Sequence, residues 1–320
     1  MVKATAPKLS EEASKAERRS LLRVRLLWRG SDSFGAVVKT YYQLTKPGII
    51  YGNILTALAG FLLASSWHGR WWRLLALLIG TSLVIGGACV FNNYIDRGID
   101  QKMKRTQKRA LVSGVVTGTQ ALIYASVLCV VGFAVLVAFT NFVTVCVGVI
   151  GLLDYVVLYG VSKRRSTYGT LVGSISGAMP VVAGYTAVTG HFDLGAGILF
   201  LIMAAWQMPH FFAIALYRQD DYAAAGLPVL PIAKGERTTR LQMVLYTAAF
   251  WLANVALTAF GYAGYSYAAV MTLVSAAWLV LGLQGFGAPD LKRWARQMFF
   301  FSLFVVLILS LMLAIGSIIP

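Results

Sequence analysis

Asn92-Asn93-Tyr94-Ile95-Asp96-Arg97-Gly98-Ile99-Asp100-Gln101-Lys102-Met103-Lys104-Arg105-Thr106-Gln107-Lys108-Arg109 is the stretch around which the rest of the chain is organised. It follows an apolar run, 72–95, and lies where that run leaves a membrane. Asn92, Asp96 and Asp100 recur at i, i+4 and i+8, so a helix carries them on one face. Two carboxylates and an amide oxygen form a hard, all-oxygen donor set. Such a set suits Mg2+, which usually shares its coordination with substrate phosphates. Lys102, Lys104, Arg105, Lys108 and Arg109 follow at once. They fit two roles: holding phosphate oxygens, or marking an ordinary positive-inside loop. Carboxylates at a membrane helix end are costly unless they are used, which favours a working site on the acidic face.

The composition agrees with a membrane setting. The chain has 320 residues, 58% of them hydrophobic and only 12% charged, with a mean hydropathy of +0.71. That describes a polytopic membrane protein, not a soluble globule. A net charge of +16 would point to nucleic acid in a soluble chain. Here Lys and Arg cluster between apolar segments, so topology and anionic lipid account for most of them. Cys89, Cys129 and Cys146 all lie in apolar runs, and neither a disulfide framework nor a thiolate metal site is expected. Residues 1–40 read as a basic N-terminal arm, disordered at its start. Within it, 17–29 fits a basic amphipathic helix on the lipid surface, or a solvated tail. A signal peptide is not expected, because the first long apolar run starts only near Gly48. Residues 41–320 then form one membrane domain.

Nine apolar segments are expected near 47–66, 72–95, 112–138, 142–161, 169–189, 194–216, 241–262, 265–286 and 297–317. Each approaches the ~20 residues that cross ~30 Å of hydrocarbon. With a cytoplasmic N-terminus, 26 of the 28 Lys and Arg lie inside and only Arg70 and Arg73 outside. The C-terminus is then outside, as an odd number of spans requires. The inner connections after the second and sixth segments are the long, charged ones, where chemistry usually sits.

A second acidic site opens the loop after segment six, at Arg218-Gln219-Asp220-Asp221-Tyr222. On this topology it faces the same side as Asp96 and Asp100. Four of the chain's 12 acidic residues occupy these two loop starts. Two acidic clusters on one face suggest Mg2+ ions clamping a diphosphate and neutralising it as it leaves. A solvated turn pairing with Arg218 is the alternative for the second cluster. Adjacent acids point about 100° apart on a helix, so one metal is not shared equally; Asp221 is the favoured ligand and Asp220 the second.

Taken together, Lys46-Pro47-Gly48, Asn92 to Asp100, Met103-x-Arg105-Thr106, Tyr168-Gly169-Thr170, Gly177-Ala178-Met179-Pro180, Trp206-Gln207-Met208-Pro209-His210 and Asp221-Tyr222 through Leu230-Pro231 resemble the protoheme IX farnesyltransferases. These are the heme O synthases of the UbiA superfamily of membrane prenyltransferases. The resemblance runs from about Tyr41 to the C-terminus and looks nearest to proteobacterial forms. It implies nine helices around a central cavity, in a bacterial inner membrane with the site on the cytoplasmic side. It further implies Mg2+-assisted transfer of the farnesyl group of farnesyl diphosphate to the 2-vinyl group of heme B, with water adding to give heme O for terminal oxidases. By position, Asn92, Asp96 and Asp100 match the first acidic motif, and Asp220 and Asp221 the second. Lys46, Arg105, Arg109, Lys163, Arg164, Trp206, His210 and Tyr222 are candidate substrate-binding residues. Contact with a heme A synthase or a terminal oxidase would fit that role.

Other residues keep two readings. His210 is the only histidine inside an apolar segment. Imidazole suits heme iron, and it equally suits a hydrogen bond across helices. Trp206, Tyr185, Tyr159 and Phe212 are candidates to stabilise a carbocation, or plain packing. Asp154 lies deep in segment four, where an acid is a functional candidate; bonding to Tyr or Thr hydroxyls is the structural account. Two further function classes compete. One keeps the superfamily and changes the acceptor to an aromatic quinone precursor; the Trp-Gln and His strings argue against it. The other is a non-enzymatic membrane heme carrier or transporter, against which stands the absence of repeated halves.

Overall fold

The computed structural model describes residues 33–316 and 318. The expected amphipathic helix at 17–29 lies outside the described residues. Every regular element described is helical. The membrane-length helices are α2 (Pro47–Ser65), α3 (Trp71–Asp100), α4 (Gly118–Phe139), α5 (Phe142–Arg165), α6 (Gly169–Thr189), α7 (Leu194–Tyr217), α10 (Glu236–Ala259), α11 (Tyr265–Gln284) and α12 (Leu291–Ile315). These nine, among the described residues, are long and apolar enough to cross a membrane. Helix α1 (Ser33–Leu44) precedes them, so the expected boundary at 40/41 falls inside a helix. Short helices α8 (Gln219–Ala224) and α9 (Leu230–Ala233) lie in the long connection after α7.

Several ends differ from the apolar windows, for local reasons. Helix α3 runs on to Asp100 because its polar last turns find partners instead of lipid. Helix α4 starts at Gly118, not near 112. Thr117 caps it, accepting from the Gln120 amide at 3.2 Å while its own amide donates to the Gln120 side chain at 3.0 Å. Helix α12 starts at Leu291, where Asp290 accepts from the Arg293 amide at 3.0 Å. Helix α10 likewise begins at Glu236, ahead of its apolar window.

Burial separates centre from rim. In α7, 72% of the apolar window is buried inside the protein, against 17% in α5. Helices α2, α3, α6, α7 and α12 have 44% or more of their apolar window buried, and α4, α5, α10 and α11 have 28% or less. Helices α2 and α6 approach closely through glycine. A Cβ at Gly184 would lie 2.0 Å from the Ala57 carbonyl oxygen, and one at Gly60 would lie 2.1 Å from that of Val181. Lipid supplies little driving force for helix association, so such packing matters more than in water. Gly184→Ala is therefore expected to destabilise the bundle by about 1–3 kcal/mol, the usual cost of overpacking. Thermal unfolding in detergent would show it; an unchanged midpoint would mean that the α2–α6 contact is loose.

Candidate functional site

Between α2, α3, α5, α6, α7 and α12 lies a cavity of about 910 Å³. One end is polar and is built by the end of α3. Asn92, Asp96 and Asp100 all line it, and all are buried. Each is met by a cation from another element. Lys46 Nζ donates to Asn92 Oδ1 at 3.1 Å. Lys163 donates to Asp96 Oδ2. Arg109 donates to Asp100 Oδ2 at 2.7 Å. Lys46 stands between α1 and α2 with φ at 55°, an uncommon backbone for a residue other than glycine. Burial, with the nearby Arg109 and Lys163 charges, brings its ammonium pKa down to about 8, against the opposing pull of Cys89 and Asp96.

The loop after α3 folds back onto the site. The Thr106 hydroxyl donates to the Asp100 carbonyl oxygen at 2.9 Å, which returns the chain so that Arg109 reaches both Asp100 and, at 3.3 Å, Asn93 Oδ1. Asn93 in turn donates to the Leu44 carbonyl at 2.9 Å. Neither Asn93 nor Thr106 was singled out from the sequence. Asn93 acts through a contact 49 residues away and Thr106 through a turn six residues back, though each stands in a quoted motif. Arg105 lines the same end, exposed and with no carboxylate at ion-pair distance among the described residues.

Not every candidate reaches the cavity. Arg164 bonds Asp96 Oδ1 at 2.9 Å and the Ile95 carbonyl at 2.8 Å but does not line the cavity. Asp220 turns away: its side chain is 86% exposed and pairs with Lys292 of α12 at 2.8 Å, which holds its carboxyl below the usual range. Asp221 does not line the cavity either. It pairs with Arg218 at 3.9 Å, and Arg218, Tyr222, Leu227, Pro228 and Val229 line the cavity from that connection. Burial raises the Tyr222 phenol, with Arg105 opposing.

The donors present fit Mg2+ in part. No three His, Cys, Asp or Glu side chains cluster tightly enough to hold a metal among the described residues. Two carboxylates and an amide oxygen on one open face match an ion that completes its shell with phosphate and water. The buried Asn92 Nδ2 has no hydrogen-bond partner, a donor left over for a ligand oxygen.

The rest of the cavity is apolar and aromatic. Trp206, His210, Tyr155 and Tyr159 line it, the two tyrosines stacked 5.7 Å apart. Tyr185 and Phe212 do not: Tyr185 bonds Asp193 at 3.0 Å near the opposite end, and Phe212 packs against Tyr246. Phe212, six residues after Trp206 on α7, points about 120° away from it around the helix. Asp154 begins a π-helical turn, Asp154–Leu158, within α5. It accepts the Ser176 amide at 3.0 Å instead of a Tyr or Thr hydroxyl. Gln207 lies flat on Gly177, where a Cβ would meet its Oε1 at 1.9 Å. Its amide donates to the Ser174 and Met203 carbonyls at 3.1 and 3.0 Å.

Residues 53–304 match the model of the UbiA prenyltransferase family. A "Protoheme IX farnesyltransferase 2" of Chromobacterium violaceum is 51% identical over 282 residues, covering 87% of this chain and 93% of that protein. A digeranylgeranylglyceryl phosphate synthase structure superposes with a TM-score of 0.73 at 19% identity, over 88% of this chain and 98% of that one. A UbiA homologue from Archaeoglobus fulgidus, bound to GPP and Mg2+, gives 0.63 at 12% identity, over 86% and 99%.

Proposed function

The chain belongs to the UbiA prenyltransferase family, and on that premise we propose that it farnesylates heme B to heme O. The observation that carries the reading is the cavity itself. One end is an acidic face ringed by cations, and the remainder is a largely apolar and aromatic chamber, about 910 Å³ in all. The 51% identity to a protoheme IX farnesyltransferase selects heme B as the acceptor. Membership of a prenyltransferase family also sets aside the non-enzymatic carrier.

The residues divide the work. Lys46, Arg105, Arg109 and Lys163 bind the diphosphate oxygens of farnesyl diphosphate. Asn92, Asp96 and Asp100 would hold Mg2+ on the α3 face, while Asp221, outside the cavity lining, pairs with the cavity-lining Arg218. When bound, that ion draws charge onto the leaving pyrophosphate. The allylic C–O bond breaks and the pair leaves with pyrophosphate. The apolar walls keep water from the farnesyl cation, while the Tyr155 and Tyr159 rings offer it their faces. The vinyl π-pair forms the new C–C bond, and water then adds with loss of a proton, giving the hydroxyethylfarnesyl group. The distribution of Lys and Arg supports an orientation with this site on the cytoplasmic side, and the bacterial relatives support an inner-membrane setting.

Mass spectrometry of hemes from a host without its own heme O pathway tests the reading. Expression of this chain should add a hydroxyethylfarnesyl-substituted heme. Unchanged heme B, with protein present and farnesyl diphosphate supplied, would sink the heme acceptor, and quinone-precursor acids would be tried next in the same membranes. The second acidic pair gives a finer check. Asp221→Asn is expected to lower turnover by about tenfold, in line with loss of one outer ligand or orienting group. Asp220→Asn, altering only an exposed pair, should stay within about twofold. Equal losses at both positions would remove the distinction drawn here.

A further inference from the structure

His210 projects from α7 roughly two turns before its end at Tyr217, about 10 Å at 1.5 Å per residue. It is buried and lines the cavity. Its Nδ1 lies 2.7 Å from the hydroxyl of Ser302 on α12. The Ser302 hydroxyl lies in turn 2.6 Å from the Phe299 carbonyl oxygen. A carbonyl oxygen carries no hydrogen, so that contact requires the hydroxyl to donate. A hydroxyl has one hydrogen, so toward His210 Ser302 accepts, and the proton sits on Nδ1. In a neutral imidazole Nε2 is then bare. Nε2 has no hydrogen bond among the described residues and opens onto the cavity.

The ring cannot swing freely. Trp206 stacks on it at 4.8 Å and 21°, and Phe299 lies at 5.0 Å on a tilted plane. Phe211 meets it edge-on at 5.1 Å. The Trp206 indole N–H donates to the Ser302 carbonyl at 2.9 Å, so the residue that orients the imidazole is itself pinned to its stacking partner. A ligating imidazole commonly gives its other N–H to a fixed oxygen acceptor.

We propose that Ser302 is a positioning residue that fixes His210 in its Nδ1–H tautomer, presenting Nε2 to the cavity as an axial ligand of the porphyrin iron. The inference rests on the heme acceptor proposed above. The surroundings decide between iron and the porphyrin's propionates. Near His210 the cavity is walled by Phe211, Ile214, Leu303 and Val306. Of the cavity-lining cations, Lys46, Arg105, Arg109 and Lys163 gather at the α3 end, and Arg218 caps α7 eight residues on, about 12 Å along the helix from this apolar wall. A bare imidazole nitrogen in an apolar wall suits a metal ligand. The cross-helix bond and the iron contact therefore do not compete, because they use different nitrogens.

The test uses the full chain in lipid nanodiscs, titrated with ferrous heme B without farnesyl diphosphate and read by resonance Raman. Wild type is expected to show an iron–histidine stretching band. His210→Ala should lose it, and imidazole in the buffer should restore five-coordinate iron. Ser302→Ala should weaken heme binding by roughly tenfold, the scale of lost outer-shell support, and shift the band. Ser302→Thr, which keeps the hydroxyl, should retain both. A band that survives in His210→Ala, or Ser302→Ala matching wild type in band and affinity, would overturn the proposal. Farnesyl transfer measured by mass spectrometry on the same preparations separates the two claims. Transfer by wild type without the band defeats the iron ligand alone; the band without any transfer defeats the parent reading and leaves the ligand standing.

Discussion

Replacing Asp96 and Asp100 together by Asn is expected to cut farnesyl transfer by about 10³-fold or more, the scale set by removing preorganised charge from a reacting group, while heme binding persists. The expectation rests on what each carboxylate touches. Asp96 is held by Lys163 and, at 2.9 Å, by Arg164; Asp100 is held by Arg109 at 2.7 Å. All three neutralise the carboxylates, and Lys163 and Arg109 also line the cavity where a diphosphate would lie. Asn keeps the shape and an oxygen but removes both negative charges. The cations are then free for phosphate, so inorganic pyrophosphate should still bind, and its binding should no longer depend on Mg2+. Turnover should collapse because leaving-group charge loses its metal-assisted sink. Pyrophosphate titrations with and without Mg2+, beside the transfer assay, would show the split. Transfer near wild type would sink the metal-site argument.

Lys163→Met should be the strongest single-cation loss, about 10²-fold in turnover by the same scale. Lys163 combines three contacts. It touches Asp96, it lines the cavity, and its ammonium lies 4.7 Å from the centre of the Tyr159 ring. Its backbone is wedged against Gly169, where a Cβ would come within 2.6 Å of the Lys163 Cα. The start of α6 therefore sets the position of this lysine. Arg164→Met is the control. It removes a second partner of the same carboxylate from the side away from the cavity, and the loss should stay under about tenfold, as for a partly exposed ion pair. Equal losses in a steady-state transfer assay would mean that both cations merely support Asp96.

The two acidic elements show how far one-dimensional spacing reaches. Asn92, Asp96 and Asp100 share a face because α-helical period alone puts them there, and α3 carries all three into the cavity. Asp220 and Asp221 were nearly equivalent by spacing. Lys292, far away in the chain, draws Asp220 outward, and no local pattern encodes that contact. The same holds for Lys46, which meets Asn92 only because α1 and α2 fold against α3.

By itself, then, the amino-acid order determined a helical membrane chain, the number of its long apolar segments, the acidic face of α3 and the family to which the whole belongs. Those properties depend on local hydropathy, a fixed helical period and short motifs, all of which act along the chain. Tertiary structure alone decided which cation meets which carboxylate, which aromatic rings face the cavity, and that Ser302 stands behind His210. Each of those depends on the rotation and depth of one helix against another, which follow from side-chain packing and glycine contacts between segments distant in sequence.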